Sequence, residues 1–202
     1  AAGRTRASGL SGHLNPFYCD NRKTLSYPEL RNFVKIEIGR LIAERFPEAD
    51  AIAGVATGAI PQGALVADLL NLPFVYVRSK PKDHGLENLI EGELRPGMKV
   101  VVVEDLISTG GSSLKAVEAI RNNGCEVSGM VAAYTYGFDV AAQAFKAANV
   151  KLVTLTNYEA AAAAAAAKVR QKNPTRSSPA AAIFPCGRPP SRRQRPAAGR
   201  SA

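Results

Sequence analysis

Four consecutive valines run straight into two adjacent carboxylates and then into a hydroxyl- and glycine-rich turn, VVVVEDLISTGGSS over residues 100–113. This stretch restricts the fold tightly. A continuous β-branched run has no polar face, so it suits a strand covered on both sides, as in a parallel sheet. Glu104 and Asp105 fall where that strand ends, and Thr109 to Ser113 open the next helix. Two like charges side by side repel, so the pair is either solvated or partnered by the protein, or it faces a polyhydroxylated or cationic ligand.

The turn narrows that choice. Gly110 and Gly111 allow backbone conformations in which several N–H groups converge, and a helix N-terminus favours an anion. The hydroxyls of Ser108, Thr109, Ser112 and Ser113 add donors. Together these residues read as a phosphate cradle, with the carboxylates just before it placed for the hydroxyls of an attached sugar. Neither GxxxxGK[ST] nor GxGxxG follows a strand, so an NTPase or a dinucleotide fold is not indicated.

The rest of the chain supplies the sheet. Ser26 and Glu29 have capping-box spacing, with Pro28 in the first turn. Leu30, Phe33, Val34, Ile38, Leu41 and Ile42 then recur at helical spacing as a core-facing stripe. AIAGV (51–55), PFVYV (73–77), MKVVVVED (98–105), EVSGMVAAYTY (126–136) and VKLVTLT (150–156) predict five strands. GALVADLL (63–70), SSLKAVEAI (112–120) and FDVAAQAFKAA (138–148) predict helices between them, the second stopped by Asn122-Asn123-Gly124. Strands alternating with helices imply an α/β fold with a parallel sheet covered on both faces. Sites in such sheets lie beyond the carboxyl ends of the strands, where Glu104 and Asp105 stand.

At 202 residues the chain can bury one proper core. Its net charge of +9 first suggests a nucleic-acid or membrane-surface partner. The distribution argues otherwise, because all 17 acidic residues lie between Asp20 and Glu159 against 15 Lys and Arg there. The surplus sits at the ends, at Arg4 and Arg6 and from Lys168 to Arg200. Residues 160–202 hold eight alanines (160–167) and then a basic run rich in Pro, Arg and Ser without hydrophobic periodicity, a composition that predicts disorder. Cys19, Cys125 and Cys186 form no CxxC and no even set, which fits a reducing, cytoplasmic compartment. No apolar stretch approaches the roughly 18 residues of a membrane span, and no secretory h-region is present.

Three further segments carry chemistry. Between Val77 and Met98 lie 20 residues with little sign of regular structure, and loops of that length in compact domains tend to be functional. Arg78, Lys80, Lys82 and His84 concentrate charge near its start, while Gly85, Gly92 and Gly97 loosen it. GVATGAIPQG (54–63) is a strand-to-helix turn with small residues flanking Thr57. In NPFYCDNR (15–22), Phe17 and Tyr18 could stack on a flat heterocycle and Arg22 could meet a carboxylate bidentately. Ser8-Gly9 and His13 lie in a polar N-terminal segment without periodicity.

EDLISTGGSS resembles the phosphoribosyl-pyrophosphate (PRPP) motif of the type I phosphoribosyltransferases, in the form found in the orotate branch. NPFYCDNRKTLSYPELRNF, GVATGAIPQGALVA and VRSKPKDHGLENLIEG also resemble that branch, so the likeness runs from about Asn15 to Glu159. It implies a type I phosphoribosyltransferase fold: a central, mostly parallel sheet flanked by helices, with a flexible lid loop and a small N-terminal hood. The implied domain is 15–159, with 1–14 and 160–202 outside it. The implied activity joins orotate to PRPP, giving orotidine 5′-monophosphate and pyrophosphate in pyrimidine biosynthesis. Arg78, Lys82, His84 and Asp105 are the implied catalytic residues. Arg78, Lys82, His84, Glu104, Asp105, Leu106, Ile107, Ser108, Thr109, Gly110, Gly111 and Ser112 would contact PRPP. Ser108, Phe17, Tyr18 and Arg22 would contact orotate. The resemblance also implies Mg²⁺ held by PRPP oxygens and water rather than by protein ligands, and a homodimer whose lids reach the neighbouring site. Two departures stand out: Ser79 where some relatives have a second lysine, and Gly58 where some have a lysine. The alternatives are a purine or uracil phosphoribosyltransferase, or a regulator of the same fold that binds nucleic acid. The near-neutral core and the cationic lid weigh against the regulator.

Overall fold

A computed structural model describes residues 19–79 and 89–172. The hood and most of the lid, with Phe17, Tyr18, Lys82 and His84, lie outside the described residues. The chain divides into two units, residues 1–164 and 165–202. The first contains the sheet. The described part of the second, 165–172, is helical.

The strands are β1 (Ala51–Val55), β2 (Phe74–Val77), β3 (Ile90–Glu91), β4 (Lys99–Ile107), β5 (Glu126–Thr135) and β6 (Leu152–Asn157). They form one sheet in the order β3-β2-β1-β4-β5-β6. Every neighbouring pair is parallel except β2 with β3. The helices are α1 (Pro28–Arg45), α2 (Ile60–Leu70), α3 (Gly111–Asn122), α4 (Asp139–Ala147) and α5 (Tyr158–Lys172), and a 3₁₀ helix spans Asn21–Ser26. α1 packs with α2, and α3 with α4, covering the two faces as right-handed crossovers require. Val100 to Val103 are fully buried, as a run without a polar face demands.

The topology also makes the site. From β1 the chain steps outward to β2, then returns to lay β4 on the other side of β1, so the strand order reverses between β1 and β4. Such switch points open a crevice at the carboxyl ends of the strands. β4 is the longer of the two. Gly54 pairs with Val103, and β1 stops one residue later, while β4 runs on to Ile107 beside β5. The acidic pair therefore sits within the projecting end of β4, which runs two residues past Asp105, where the sequence reading ended the strand.

Other expectations need correction. The Ser26–Glu29 capping box does not form. Ser26 ends the 3₁₀ helix, Pro28 sets the start of α1, and Tyr27 is the N-cap without a side-chain bond. The α1 stripe is buried only in its C-terminal half, at Ile38 and Ile42, where the helix meets α2 and β5. Leu30 and Phe33 are 51% and 63% exposed. α2 begins at Ile60 rather than Gly63, because Pro61 is tolerated in a first turn. The loop after Val77 contains β3, whose two antiparallel pairs with β2 are too few to leave a periodic signature. The alanine run is helical within α5, in keeping with alanine having the highest helix propensity.

Candidate functional site

Adjacent residues on a strand leave it on opposite faces, but at the end of β4 the Glu104 and Asp105 carboxyls still meet each other. Glu104 turns towards α3 and is 5% exposed. Its Oε1 accepts from the Asp105 backbone N–H at 2.9 Å, and its Oε2 from the Ser113 hydroxyl at 2.8 Å. Burial above all, and then contact with the Asp105 side chain, raises its carboxyl to about 8. The bonds from Ser113 and the Asp105 amide offset only part of that. Burial and the neighbouring carboxyl therefore both favour the protonated form of Glu104. Ser113, expected to add a donor to the anion cradle, is instead 2% exposed and committed to Glu104.

Asp105 also borders the open side of the strand end. A Cβ on Gly58 would lie 2.1 Å from its Oδ2, so the turn after β1 packs on this carboxylate and a side chain there would have to displace it. That contact accounts for glycine at a position where a lysine was conceivable. The Ala56–Thr57 peptide in the same turn is cis. The Asp105 carbonyl accepts from Asn21 Nδ2 at 2.6 Å, and Asn21 Oδ1 accepts from the Cys19 thiol at 3.1 Å. Burial, then Asp105 and Asp20, raise the Cys19 pKa, which keeps it a thiol rather than a reactive thiolate. The Cys19 N–H lies 3.5 Å from the Tyr136 hydroxyl, and Tyr136 meets Tyr134 edge-on and stacks on Phe138. The end of NPFYCDNR is thus pinned over the carboxyl ends of β4 and β5.

Leu106 and Ile107 complete β4, with Ile107 fully buried. Ser108 and Thr109 lead to Gly110, the N-cap of α3, at φ +84°. A Cβ there would also meet Phe145 at 2.8 Å, so both conformation and space call for glycine. No side chain caps α3, and Gly111 and Ser112 are exposed. The first-turn N–H groups have no side-chain cap, and such a helix start favours an anion.

Two cavities open near the ends of β1 and β4, respectively. One of about 430 Å³ brings Arg78 and Ser79, at the start of the lid, together with Ala56, Ser112 and Lys115. The Arg78 guanidinium pairs with Glu91 of β3 at 3.3 Å, which fixes the lid's first residue to its last strand. The other, about 180 Å³, is bordered by Asn21, Arg22, Gly58, Gln62, Asp105 and Thr156. Arg22 donates to Asp20 at 2.9 Å. Among the described residues, no group of three or more His, Cys, Asp or Glu side chains could hold a metal ion.

Sequence reasoning missed Asn21, Gly58 as a contact of Asp105, Tyr136 and Gln62. Only Gln62 left a signal, as a lone carboxamide in the apolar run AIPQGALVA.

The description "Phosphoribosyl transferase domain" matches residues 27–172. Orotate phosphoribosyltransferase of Bacteroides thetaiotaomicron is 87% identical over 150 residues, covering 74% of this chain and 71% of that protein. The enzyme of the same name from Bacillus subtilis is 56% identical over 149 residues, covering 74% and 69%. The crystal structure of orotate phosphoribosyltransferase from Aeropyrum pernix superposes with a TM-score of 0.71 at 28% identity, covering 84% of this chain and 90% of that one. With a parallel sheet broken at β1 and β4, an acidic pair at the break and an uncapped α3 beyond it, the chain belongs to the phosphoribosyltransferase family, in its orotate branch.

Proposed function

We propose that the chain performs its orotate phosphoribosyl transfer by positioning and charge stabilisation rather than through a protein nucleophile. The observation that carries this reading is the uncapped α3 N-terminus directly beyond Asp105. It offers a 5′-phosphate site and a ribose-hydroxyl acceptor separated by one short turn. In this reading residues 108–112 hold the 5′-phosphate and Asp105 holds the ribose hydroxyls, with Glu104 beside it. Leu106 and Ile107 shape the strand end below. The base nitrogen bonds to the anomeric carbon as the C–O bond to pyrophosphate breaks, and the electron pair leaves with pyrophosphate. The transition state has oxocarbenium character, so fixed orientation and exclusion of water lower its energy.

Arg78, Lys82 and His84 neutralise the leaving pyrophosphate, aided by the backbone of the turn around Thr57 and Gly58. The base lies against Phe17, Tyr18 and Ser108, with Arg22 available to its carboxylate. The donor set suits Mg²⁺ carried in on substrate oxygens. Two neighbouring carboxyl groups are no cage of protein ligands, but the one bordering the cavity can share a hard cation that keeps its waters. When bound, that ion supplies charge neutralisation at the pyrophosphate. The protein works as a cytoplasmic homodimer in which Lys82 reaches the partner's site. The domain spans 15–159, and the basic tail is dispensable for catalysis.

The test is PRPP-dependent loss of orotate absorbance, run beside uracil, hypoxanthine and adenine. Orotate should lead by orders of magnitude in kcat/KM. Equal turnover of uracil or a purine contradicts the base assignment. Mixing Lys82→Ala with Asp105→Asn subunits tests the shared site. Recovery of activity supports it, and none after verified subunit exchange excludes it.

A further inference from the structure

Among the described residues, Gln62 alone has buried side-chain nitrogen and oxygen atoms without a hydrogen-bond partner. Both ends of its carboxamide are unpaired, and the residue is 5% exposed. Buried polar groups in folded chains are nearly always paired, because an unpaired one forfeits its hydration with no return. Packing alone does not call for an amide here. Gln62 lies in the first turn of α2, and Gly63, Val66 and Ala67 around it are buried and apolar. A methionine would fill the same space without a polar group to leave stranded.

The side chain borders the 180 Å³ cavity that Asp105 also lines. The other polar groups at its edge are partly committed. Arg22 is paired with Asp20, the Asn21 amide is bonded to the Asp105 carbonyl, and Thr24 donates to the Asn21 carbonyl at 2.6 Å. The Asp105 carboxylate rests on Gly58, four residues before Gln62, so it and the first turn of α2 are neighbours across one turn of chain. A carboxylate has about four acceptor sites, and the facing Glu104 uses only part of that capacity. The cavity gives a three-torsion side chain room to swing.

We propose that Gln62 is a positioning residue: in the PRPP-loaded enzyme its amide N–H donates to the Asp105 carboxylate across this cavity and fixes the oxygen that Asp105 turns to the ribose. The proposal rests on the reading that Asp105 holds the ribose hydroxyls. It gives the buried, unpaired amide of Gln62 a partner that borders the same cavity.

The experiment compares Gln62→Met, which keeps the shape but loses the donor, and Gln62→Glu, which places a carboxyl against Asp105. Each is made alone and on an Asp105→Ala background, with kinetics varied separately in PRPP and orotate and melting recorded without ligand. Gln62→Met should melt at or above wild type, because it removes an unpaired buried amide. Its kcat/KM for PRPP should fall about tenfold, the loss of one charge-assisted hydrogen bond, with KM for orotate unchanged. Gln62→Glu should fall further. On the Asp105→Ala background Gln62→Met should cost nothing more. Wild-type PRPP kinetics in Gln62→Met overturns the proposal, and so does an equal loss on both backgrounds. Should Gln62→Met fold poorly, Gln62→Glu decides: a loss confined to PRPP supports the role, and wild-type PRPP kinetics overturns it. If Asp105→Ala alone keeps wild-type PRPP kinetics, the ribose assignment has failed instead.

Discussion

On one face of the sheet, Glu104 is packed under α3 with both carboxyl oxygens held by the protein. On the other, the next residue's carboxylate lies on a bare glycine and borders an open cavity. The two side chains share a charge type, a strand end and a peptide bond. They meet each other, but their surroundings differ: Glu104 is packed under α3, while Asp105 borders the cavity beyond the strand end. Burial and the neighbouring carboxyl favour a proton on Glu104, which relieves the repulsion of two adjacent charges while Asp105 remains on the open side for a ligand. A doubled acidic residue at a strand end thus need not be a doubled ligand.

The largest expected effect falls on the open side. Asp105→Asn should leave melting nearly unchanged, because the carboxylate supports no core contact. It should lower kcat/KM for PRPP by about 10- to 150-fold, as loss of a charged hydrogen bond worth about 1.5–3 kcal/mol implies. Steady-state kinetics checks this, and an undiminished kcat/KM would erase the contrast between the two faces.

Gly58→Ala probes the same side from the turn. Its methyl must displace the Asp105 carboxylate, which can rotate away from the strand end more cheaply than the backbone can shift. Activity should therefore drop about tenfold, while stability falls by about 1 kcal/mol or less. A loss of stability without loss of activity would mean the turn yields and Asp105 stays in place.

The covered side is read as a pH dependence of stability rather than as a loss of activity. The Glu104 pKa rises from the ordinary 4.5 to about 8 on folding, so the folded state binds the proton more tightly than the unfolded chain. Its stabilising contribution is complete below pH 4.5 and is lost as pH rises through 8, with no further change beyond. Urea midpoints across this range should fall with pH in wild type and fall less in Glu104→Gln. Parallel slopes in the two proteins would assign the pH dependence to other groups.

Much of this arrangement was legible before any coordinates. The valine run announced a strand buried on both faces, the alternation of segments gave the parallel sheet, and TGGSS marked the open helix start. These features are local, written in runs and periods of a few residues. The remainder depends on residues distant in sequence. Nothing in SSLKAVEAI tells Ser112, facing solvent, from Ser113, facing Glu104. That difference follows from how α3 rotates onto β4. The α1 stripe has the same spacing at Phe33 as at Ile38, yet only the second has α2 and the sheet beneath it. Gly58 and Asp105 are 47 positions apart, and only the β1–β4 pairing brings them into contact. Neither the lid lysine nor the aromatic pair of the hood lies within the described residues, so their roles still rest on the family likeness.

The proton on the acidic pair is the point on which the division of labour turns. Carboxyl-carbon NMR of the unliganded protein, with Glu104→Gln to assign the resonance, follows that proton directly. The Glu104 carboxyl should hold its protonated shift through neutral pH and titrate near 8. A Glu104 resonance that titrates at an ordinary carboxylate pH would show both residues charged together, and the contrast between the covered and open faces would fail.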